Sequence, residues 1–375
     1  MPQSLIFIRN KAFRFFYKNL LQPLFFQFDP ETVHDRIVFF GEFLGRFSLT
    51  RNITSSLFNY SNKKLEQDIL GIKFKNPVGL GAGFDKNAQL INILPSVGFG
   101  FAEVGSITGE PCEGNPKPRL WRLKKSRGFL VWYGLKNDGC EVISEKLKSK
   151  KFEIPIGTNI AKTNSPNTVE TDMGIADYIK AFKEFTEIGA YFTINISCPN
   201  AYGGLPFTDS GRLDKLLDKI DRIATKKPIF LKLSPDLPKS EIDKIIMVCS
   251  RHRVHGFVLT NLTKNRTNRK VLDKVLSAEG GMSGKIVENL SNELISYIFQ
   301  KTNGKYVIIG LGGVFSAQDA YKKIMLGASL VALISGMIYE GPQVISEINI
   351  GLVKLLERDG YSNISQAIGA DNKIK

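Results

Sequence analysis

The 375-residue sequence has little of what metal centres and disulfide frameworks require. It contains three histidines and four cysteines, and the cysteines (Cys112, Cys140, Cys198 and Cys249) lie far apart, with neither zinc-ligand nor C-x-x-C spacing. We therefore expect free thiols in a reducing compartment, no disulfide and no metal. Low-complexity linkers are also missing. With 43% apolar residues, the chain can bury one large core with a smaller appendage.

Acidic residues are scarce, with 36 Asp and Glu against 51 Lys and Arg, and the net charge of +15 favours anionic partners. The first acidic residue is Asp29, and residues 5–28 mix basic and aromatic side chains. Their apolar runs are shorter than the ~20 residues that span a bilayer. We interpret this segment as an amphipathic helix in a membrane interface, or equally as a helix packed on the main domain. A second helix is expected to begin at Pro30, with Asp29 as its N-cap.

From residue 76 onward the sequence repeats a short apolar run, a turn rich in Gly, Asn and Ser, and a segment long enough for a helix. There are eight such runs, and this count predicts a (β/α)₈ TIM barrel. The runs lie near residues 77–82, 100–105, 155–160, 191–197, 228–234, 256–261, 306–310 and 329–335. Residues 111–137 are too long for a simple loop, so we predict a β insertion over the barrel mouth. We place the helical extension at residues 1–65 and the barrel at 66–375.

Two features of the predicted barrel point to chemistry. Cys198 follows the fourth apolar run at a strand end, where barrel enzymes carry catalytic groups, although a lone cysteine is more often a small core residue. Glycine clusters at 310–313 and 335–336 follow the seventh and eighth runs, where barrels commonly bind a ligand phosphate. Together with Lys232 at the fifth strand end, they suggest a phosphorylated cofactor such as FMN.

Ordered motifs extend over nearly the whole chain, and together they resemble the dihydroorotate dehydrogenases, specifically the membrane-associated, quinone-linked class 2 group. The motifs lie at residues 28–34, 76–86, 114–119, 195–200, 231–236, 260–261, 280–284, 310–313 and 335–336. The resemblance implies an FMN enzyme in which a base takes a proton from C5 of dihydroorotate while a hydride leaves C6 for the flavin. A quinone would then reoxidise the flavin.

The resemblance also implies site residues, with Cys198 at the position of the base. An unperturbed thiol pKa near 8.5 makes a thiolate accessible there. FMN would be held by Ala82, Gly83, Ser106, Asn159, Asn195, Lys232, Thr260, Gly284, Gly313 and Ser335. The substrate would be bound by Lys86, Asn195, Asn200 and Asn261. The quinone tunnel would be lined by His34 and Arg122.

Several positions depart from the class 2 pattern. Cys198, Ala201 and Leu135 stand where class 2 enzymes carry serine, threonine and phenylalanine, and Cys198 and Leu135 resemble class 1 instead. Val131 replaces a substrate-binding asparagine and Leu262 a Ser or Thr, which removes two polar contacts worth about 1–3 kcal/mol each. In addition, Ile334 replaces a tyrosine near the quinone.

We therefore predict a peripheral membrane enzyme, expected to be a monomer, that oxidises dihydroorotate with a quinone in pyrimidine biosynthesis. Its expected location is the cytoplasmic face of an inner membrane, or alternatively the mitochondrial inner membrane. One alternative is a related FMN oxidoreductase for another cyclic or dihydropyrimidine-like substrate. A tRNA-modifying flavin barrel and a non-catalytic flavoprotein are further alternatives, but little sequence follows the last barrel helix to form an RNA-binding domain, so no nucleic-acid partner is expected.

Overall fold

The computed structural model describes residues 3–372, and its central feature is a closed barrel of eight parallel strands. Each strand pairs with the next along the chain, and the eighth pairs with the first, as the eight apolar runs predict. The strands are β1 Val78–Leu80, β2 Phe101–Ile107, β3 Ile156–Ile160, β4 Tyr191–Asn195, β5 Ile229–Leu233, β6 Gly256–Leu259, β7 Val307–Leu311 and β8 Leu330–Leu333.

Helices precede the barrel and surround it. Those that precede it are α1 Gln3–Phe16, α2 Gln22–Phe25, α3 Pro30–Arg46 and α4 Ser48–Phe58, and a π-helical segment, Tyr17–Leu21, lies between α1 and α2. Those that follow are α5 Leu94–Val97, α6 Cys140–Lys148, α7 Thr171–Glu184, α8 Ser210–Asp221, α9 Lys239–Cys249, α10 Glu288–Lys301, α11 Ala317–Met325, α12 Ser335–Glu340 and α13 Val344–Arg358. The strands and helices together confirm the predicted TIM barrel with its N-terminal helical extension.

The N-terminal helices are stabilised by a local cap and by polar contacts with the barrel. Asp29 caps α3 as expected, since its side chain accepts a hydrogen bond from the amide of Thr32. Glu340, which is buried at the end of α12, forms salt bridges with Arg14 and Lys18. No helix in the described part of the chain is long and apolar enough to cross a membrane.

The β insertion lies at the barrel mouth, as predicted. Strands Leu120–Leu123 and Gly128–Val131 pair antiparallel, and Gly281–Met282 adds a third strand that the sequence did not suggest. At the opposite end of the barrel, strands Gln67–Ile69 and Ile72–Phe74 form a hairpin whose Phe74 ring packs edge-on against Phe101. One end of the barrel is thus closed by apolar packing, and the other faces the insertion and the N-terminal helices.

Candidate active site

A single cavity of about 700 Å³ extends from the carboxyl ends of the barrel strands to the N-terminal helices. Cys198, Lys232 and Asn261 line its barrel end, and Phe16 and Phe40 line its helical end. Polar side chains are concentrated near the strands, whereas aromatic and aliphatic side chains enclose the rest. The arrangement provides a polar pocket joined to an apolar passage.

Cys198 follows β4 and is half-buried on the cavity wall, while the other three cysteines are buried, and all four are free. Burial raises the pKa of the Cys198 thiol above its ordinary value of 9.0. A backbone hydrogen bond from Asn200 and the charges of Lys232 and Lys162 act in the opposite direction. These groups favour the thiolate that a base at this position requires.

Three asparagines surround Cys198, but the structure gives them different roles. Asn261 donates to the carbonyl of Ser197 at 2.9 Å and accepts from the amide of Leu262 at 2.9 Å. Asn195 donates to Ser106 Oγ at 2.9 Å and accepts from Asn261 at 3.2 Å. Most hydrogen-bonding groups of these two side chains are therefore occupied by protein partners, which hold the pocket in shape.

Asn200 is the asparagine with a free acceptor. Its Nδ2 donates to the carbonyl of Val131 at 2.9 Å, and its buried Oδ1 has no hydrogen-bond partner among the described residues. A buried acceptor without a partner costs about 1–3 kcal/mol, so a ligand N–H placed there would gain a strong contact. This geometry suits the N–H edge of an imide-like ring.

Lys86 and His34 meet where the polar pocket joins the apolar passage. Lys86 Nζ lies 3.4 Å from His34 Nε2 and 4.2 Å from the centre of the Tyr133 ring. Burial lowers the pKa of Lys86 to about 8, and burial together with the Lys86 charge lowers the pKa of His34. An anion bound at Lys86 would relieve this burial cost and stabilise the ammonium.

Lys232 and Thr260 lie at the ends of β5 and β6 and present free polar atoms. Lys232 is 4% exposed, and burial lowers its pKa, while the charges of Glu103 and Cys198 oppose that shift. Thr260 is 2% exposed, and its Oγ1 has no partner among the described residues. A buried cation and an unused hydroxyl on neighbouring strands fit a bound flavin ring, which offers oxygen and nitrogen acceptors.

The late glycine clusters form a second part of the same site. Gly313 has a φ of +77°, and a Cβ built there would lie 2.4 Å from Glu288 Cβ, so a larger residue would disturb the turn after β7. Helix α12 starts at Ser335, whose Oγ lies 3.2 Å from Ser283 Oγ. Free amides at a helix start and two hydroxyls suit a phosphate.

The structure brings most of the predicted site residues to this cavity. Its walls include Cys198, Ala82, Gly83, Ser106, Asn195, Lys232, Ser335, Lys86, Asn200, Asn261, His34 and Arg122. Four others lie outside these walls: Asn159, Thr260, Gly284 and Gly313. Of these, Asn159 accepts a hydrogen bond from Ser106 at 2.5 Å, and Gly284 follows Ser283, which lines the cavity. Asn159 and Gly284 are thus next to the cavity wall, and Thr260 and Gly313 follow the ends of β6 and β7.

Arg122 orders the apolar end of the cavity. Its guanidinium donates to the carbonyls of Phe25 at 3.0 Å and Phe28 at 2.6 Å, and it lies 4.7 Å from the centre of the Phe26 ring. Its Nε has no partner among the described residues. The passage between α1, α2 and α3 is therefore mostly apolar with a single guanidinium in its wall.

A sequence profile of the family described as dihydroorotate dehydrogenase matches residues 64–356. The chain belongs to this family. It is 36% identical to "Dihydroorotate dehydrogenase (quinone)" of Trichodesmium erythraeum, over 95% of this chain and 99% of that protein. It is 40% identical to the protein of the same name from Christiangramia forsetii, over 91% of this chain and 99% of that protein. The resemblance predicted from the motifs, including its quinone-linked class, is confirmed.

Solved structures agree with the family assignment. The crystal structure of DHODH from Eimeria tenella in complex with ferulenol superposes with a TM-score of 0.79 at 29% identity, covering 92% of this chain and 96% of that one. The family is flavin-dependent, which is consistent with the free groups at Lys232 and Thr260. These matches also disfavour the tRNA-modifying alternative.

Two side chains at the site were missed by the sequence reasoning. Glu103, inside β2, is buried, accepts a hydrogen bond from Thr193, and has its pKa raised by burial. Tyr133 lines the cavity beside Lys86, and its buried hydroxyl has no partner among the described residues. An acidic residue within an apolar strand is a signal that could have identified Glu103, but the Tyr133 loop has no such pattern.

Proposed function

We propose that this protein oxidises dihydroorotate to orotate, using bound FMN and a quinone as the electron acceptor, in pyrimidine biosynthesis. The observation that carries the proposal is the single cavity in which Cys198 and Lys86 occupy a polar pocket that opens into an apolar passage. One end suits a small anionic ring and the other suits an apolar quinone. Family membership supports the same reaction.

Different polar groups of the pocket would bind the substrate and transfer the proton. Lys86 would pair with the substrate carboxylate, and Asn200 Oδ1 would accept from a ring N–H. Asn195 and Asn261 would hold the pocket in shape and present their remaining amide hydrogens. Cys198, as thiolate, would take the proton from C5, and burial of the pocket would keep that proton from exchanging freely with water.

The residues that would hold FMN are those with unused polar groups or tight glycine turns at the strand ends. They are Ala82, Gly83, Ser106, Asn159, Asn195, Lys232, Thr260, Gly284, Gly313 and Ser335. The Lys232 ammonium would favour negative charge on the ring system, while Gly313 and the α12 start would receive the phosphate. When bound, FMN supplies hydride acceptance from the substrate and electron transfer to the quinone.

An anaerobic titration tests the proposal. Dihydroorotate should bleach the flavin absorbance of the purified holoprotein, and added quinone should restore it. Cys198→Ala should slow bleaching by about 10²–10⁴-fold, because a positioned base contributes that much. Cys198→Ser should also be slow at neutral pH, since a hydroxyl is far harder to ionise. A folded, flavin-loaded protein that dihydroorotate does not bleach would rule the reaction out.

We further propose that residues 1–65 form a membrane-docking extension on a barrel comprising residues 66–375. Fifteen of the 23 exposed large hydrophobic side chains in the described residues lie between Leu5 and Ile53. With a net charge of +15, this surface suits an anionic lipid interface. His34 and Arg122 would flank the quinone path.

We propose a monomer, peripheral on the cytoplasmic face of an inner membrane, with the mitochondrial inner membrane as the alternative. Cosedimentation with anionic vesicles, weakened by salt, is the expected result. No cosedimentation with any vesicle would contradict the membrane proposal and leave the reaction unaffected. Sedimentation equilibrium in detergent would test the monomer.

A second candidate substrate is another cyclic or dihydropyrimidine-like compound. Val131 and Leu262 both line the cavity, where the family pattern has polar side chains. If the natural substrate is dihydroorotate, this pocket already binds orotate well, and Val131→Asn with Leu262→Ser should change its affinity little. A gain of tenfold or more in the double variant would favour the alternative substrate.

A further inference from the structure

Two buried lysines flank the base from neighbouring strands. In the barrel, Ile160 of β3 pairs with Ile194 of β4, and Asn195 of β4 pairs with Lys232 of β5. Lys162 therefore leaves β3 beside the segment that carries Cys198, and Lys232 lies on the other side. Each lysine is 4% exposed. Lys232 has a proposed partner in the flavin, whereas Lys162 has none.

Lys162 is a buried cation whose contacts are neutral. Its Nζ donates to the carbonyl of Tyr202 at 2.8 Å and to Thr168 Oγ1 at 3.3 Å. The carboxylate of Asp177, on α7, already receives hydrogen bonds from the amides of Thr163 and Gly109 and from the Thr163 hydroxyl. A buried ammonium without a hydrogen-bonded counter-ion is costly, so an anion nearby would stabilise it.

We infer that Lys162 is a positioning residue for Cys198: its ammonium is the counter-charge of the thiolate, and its bond to Tyr202 fixes the loop that carries the thiol. Burial lowers the pKa of Lys162 and raises that of Cys198, and each group opposes the shift of the other, since Cys198 raises the pKa of Lys162 and Lys162 lowers that of Cys198. The chain thereby supplies charge where the class 2 pattern has the hydroxyls of serine and threonine.

Other titratable groups also act on the pKa values of Cys198 and Lys162. Lys232 also lowers the pKa of Cys198, and Cys112, in the insertion, raises it. On α7, Asp177 raises the pKa of Lys162, and the Tyr178 hydroxyl donates a hydrogen bond to the carbonyl of Asn195 at 2.9 Å. Lys162 is thus the cation near Cys198 that the proposed flavin site does not use.

Alkylation of Cys198 by iodoacetamide, followed by peptide mass spectrometry, measures its thiolate directly, because the other three cysteines are buried. Lys162→Gln keeps a donor for the Tyr202 carbonyl and removes the charge, whereas Lys162→Arg keeps the charge. A unit charge several ångströms away at an effective dielectric constant of ~20 shifts a pKa by about one to two units. Alkylation at pH 8 should therefore fall roughly 10- to 100-fold in Lys162→Gln and stay near wild type in Lys162→Arg.

Lys180→Met, which removes a partly exposed lysine of α7 bound to Glu110 and Glu141, is the control and should not change the rate. Circular dichroism establishes that each variant is folded. If Lys162→Gln reacts like wild type, or Lys162→Arg reacts as slowly as Lys162→Gln, the charge is not what sustains the thiolate and the inference is overturned.

This inference rests on the proposed role of Cys198 as base, and a second measurement separates the two. The pH profile of flavin bleaching by dihydroorotate should move upward in Lys162→Gln by the same one to two units. If wild type does not bleach, the proposed function fails while the alkylation result still decides the role of Lys162. If bleaching occurs but its pH profile is the same in Lys162→Gln, the role of Lys162 fails alone.

Discussion

Removing one partner of the ion pair between Glu31 and Arg119 should cost more stability than breaking a surface pair of this protein. Glu31 lies at the start of α3, and Arg119 lies in the insertion, and both are buried. Arg119 Nη2 donates to the Glu31 carboxylate at 2.8 Å and Nε at 3.1 Å, while Nη1 donates to the carbonyls of Glu113 and Asn115. One guanidinium therefore joins the N-terminal helices to the rim of the cavity.

Glu31→Gln leaves a buried guanidinium without its anion, and breaking such a pair costs about 3–5 kcal/mol. With an unfolding entropy of about 2.1 cal/mol/K per residue, 375 residues give about 0.8 kcal/mol/K. The melting temperature should therefore fall by about 4–6 °C, measured by differential scanning fluorimetry on the flavin-loaded protein. The Glu31→Met, Arg119→Met double variant should regain only part of this loss, because it leaves no buried charge but removes the donor to the Glu113 and Asn115 carbonyls.

The control is Glu357→Gln, which breaks the exposed pair with Lys64 at 2.7 Å. Exposed pairs contribute about 0–1 kcal/mol, so its melting temperature should move by no more than about 1 °C. If Glu31→Gln shifts the melting temperature no more than this control does, the reasoning about the buried pair is wrong.

Three other charged side chains, Lys86, His252 and Glu340, should affect ligand binding, pH-dependent stability and protease resistance. Lys86 binds a carboxylate only when charged, and since its pKa is about 8, orotate affinity should fall about tenfold per pH unit above that value in a binding titration; a flat profile would contradict this. Burial lowers the pKa of His252, but hydrogen bonds from its ring to Asp221 and Asp214 outweigh burial and raise it above 6.5. The stability that the charged ring contributes is complete below pH 6.5 and is lost as pH rises through the raised folded pKa. The difference in melting temperature between wild type and His252→Asn should therefore be largest below pH 6.5 and shrink as pH rises above it, and a constant difference would refute the linkage. Glu340→Gln should speed protease cleavage within the N-terminal helices, because it removes the anion that salt-bridges the α1 and π-segment side chains; unchanged digestion would argue against that fastening.

The barrel could be predicted because parallel strands buried on both faces read as apolar runs, and the eight runs fall on the eight strands. The candidate site could be located because its residues lie at the ends of those runs or just after them, as Lys232 lies near the end of β5 and Cys198 follows β4. In contrast, Gly281–Met282 is a strand of two residues, too short for any periodicity, and it forms by pairing with Gly128–Val131.

Contacts between distant parts of the chain could not be predicted from the pattern. Glu31 and Arg119 are 88 residues apart in sequence, and only the folded arrangement of α3 on the insertion brings them together. Lys162 follows the third apolar run by two residues, so its strand-end position was visible. The burial of Lys162 without a hydrogen-bonded carboxylate could not be predicted, because the sequence does not show that the Tyr202 carbonyl lies beside it.

The concentration of exposed apolar side chains between Leu5 and Ile53 has a consequence for how the protein exists in a cell. In water this surface would associate with any other apolar surface, including a second copy of itself. A newly synthesised chain therefore has two competing fates, adsorption to lipid and self-association, and the first depends on membrane area while the second rises with protein concentration. We expect overproduced protein to aggregate once its amount exceeds the lipid surface available, and mild detergent to recover it in dispersed form.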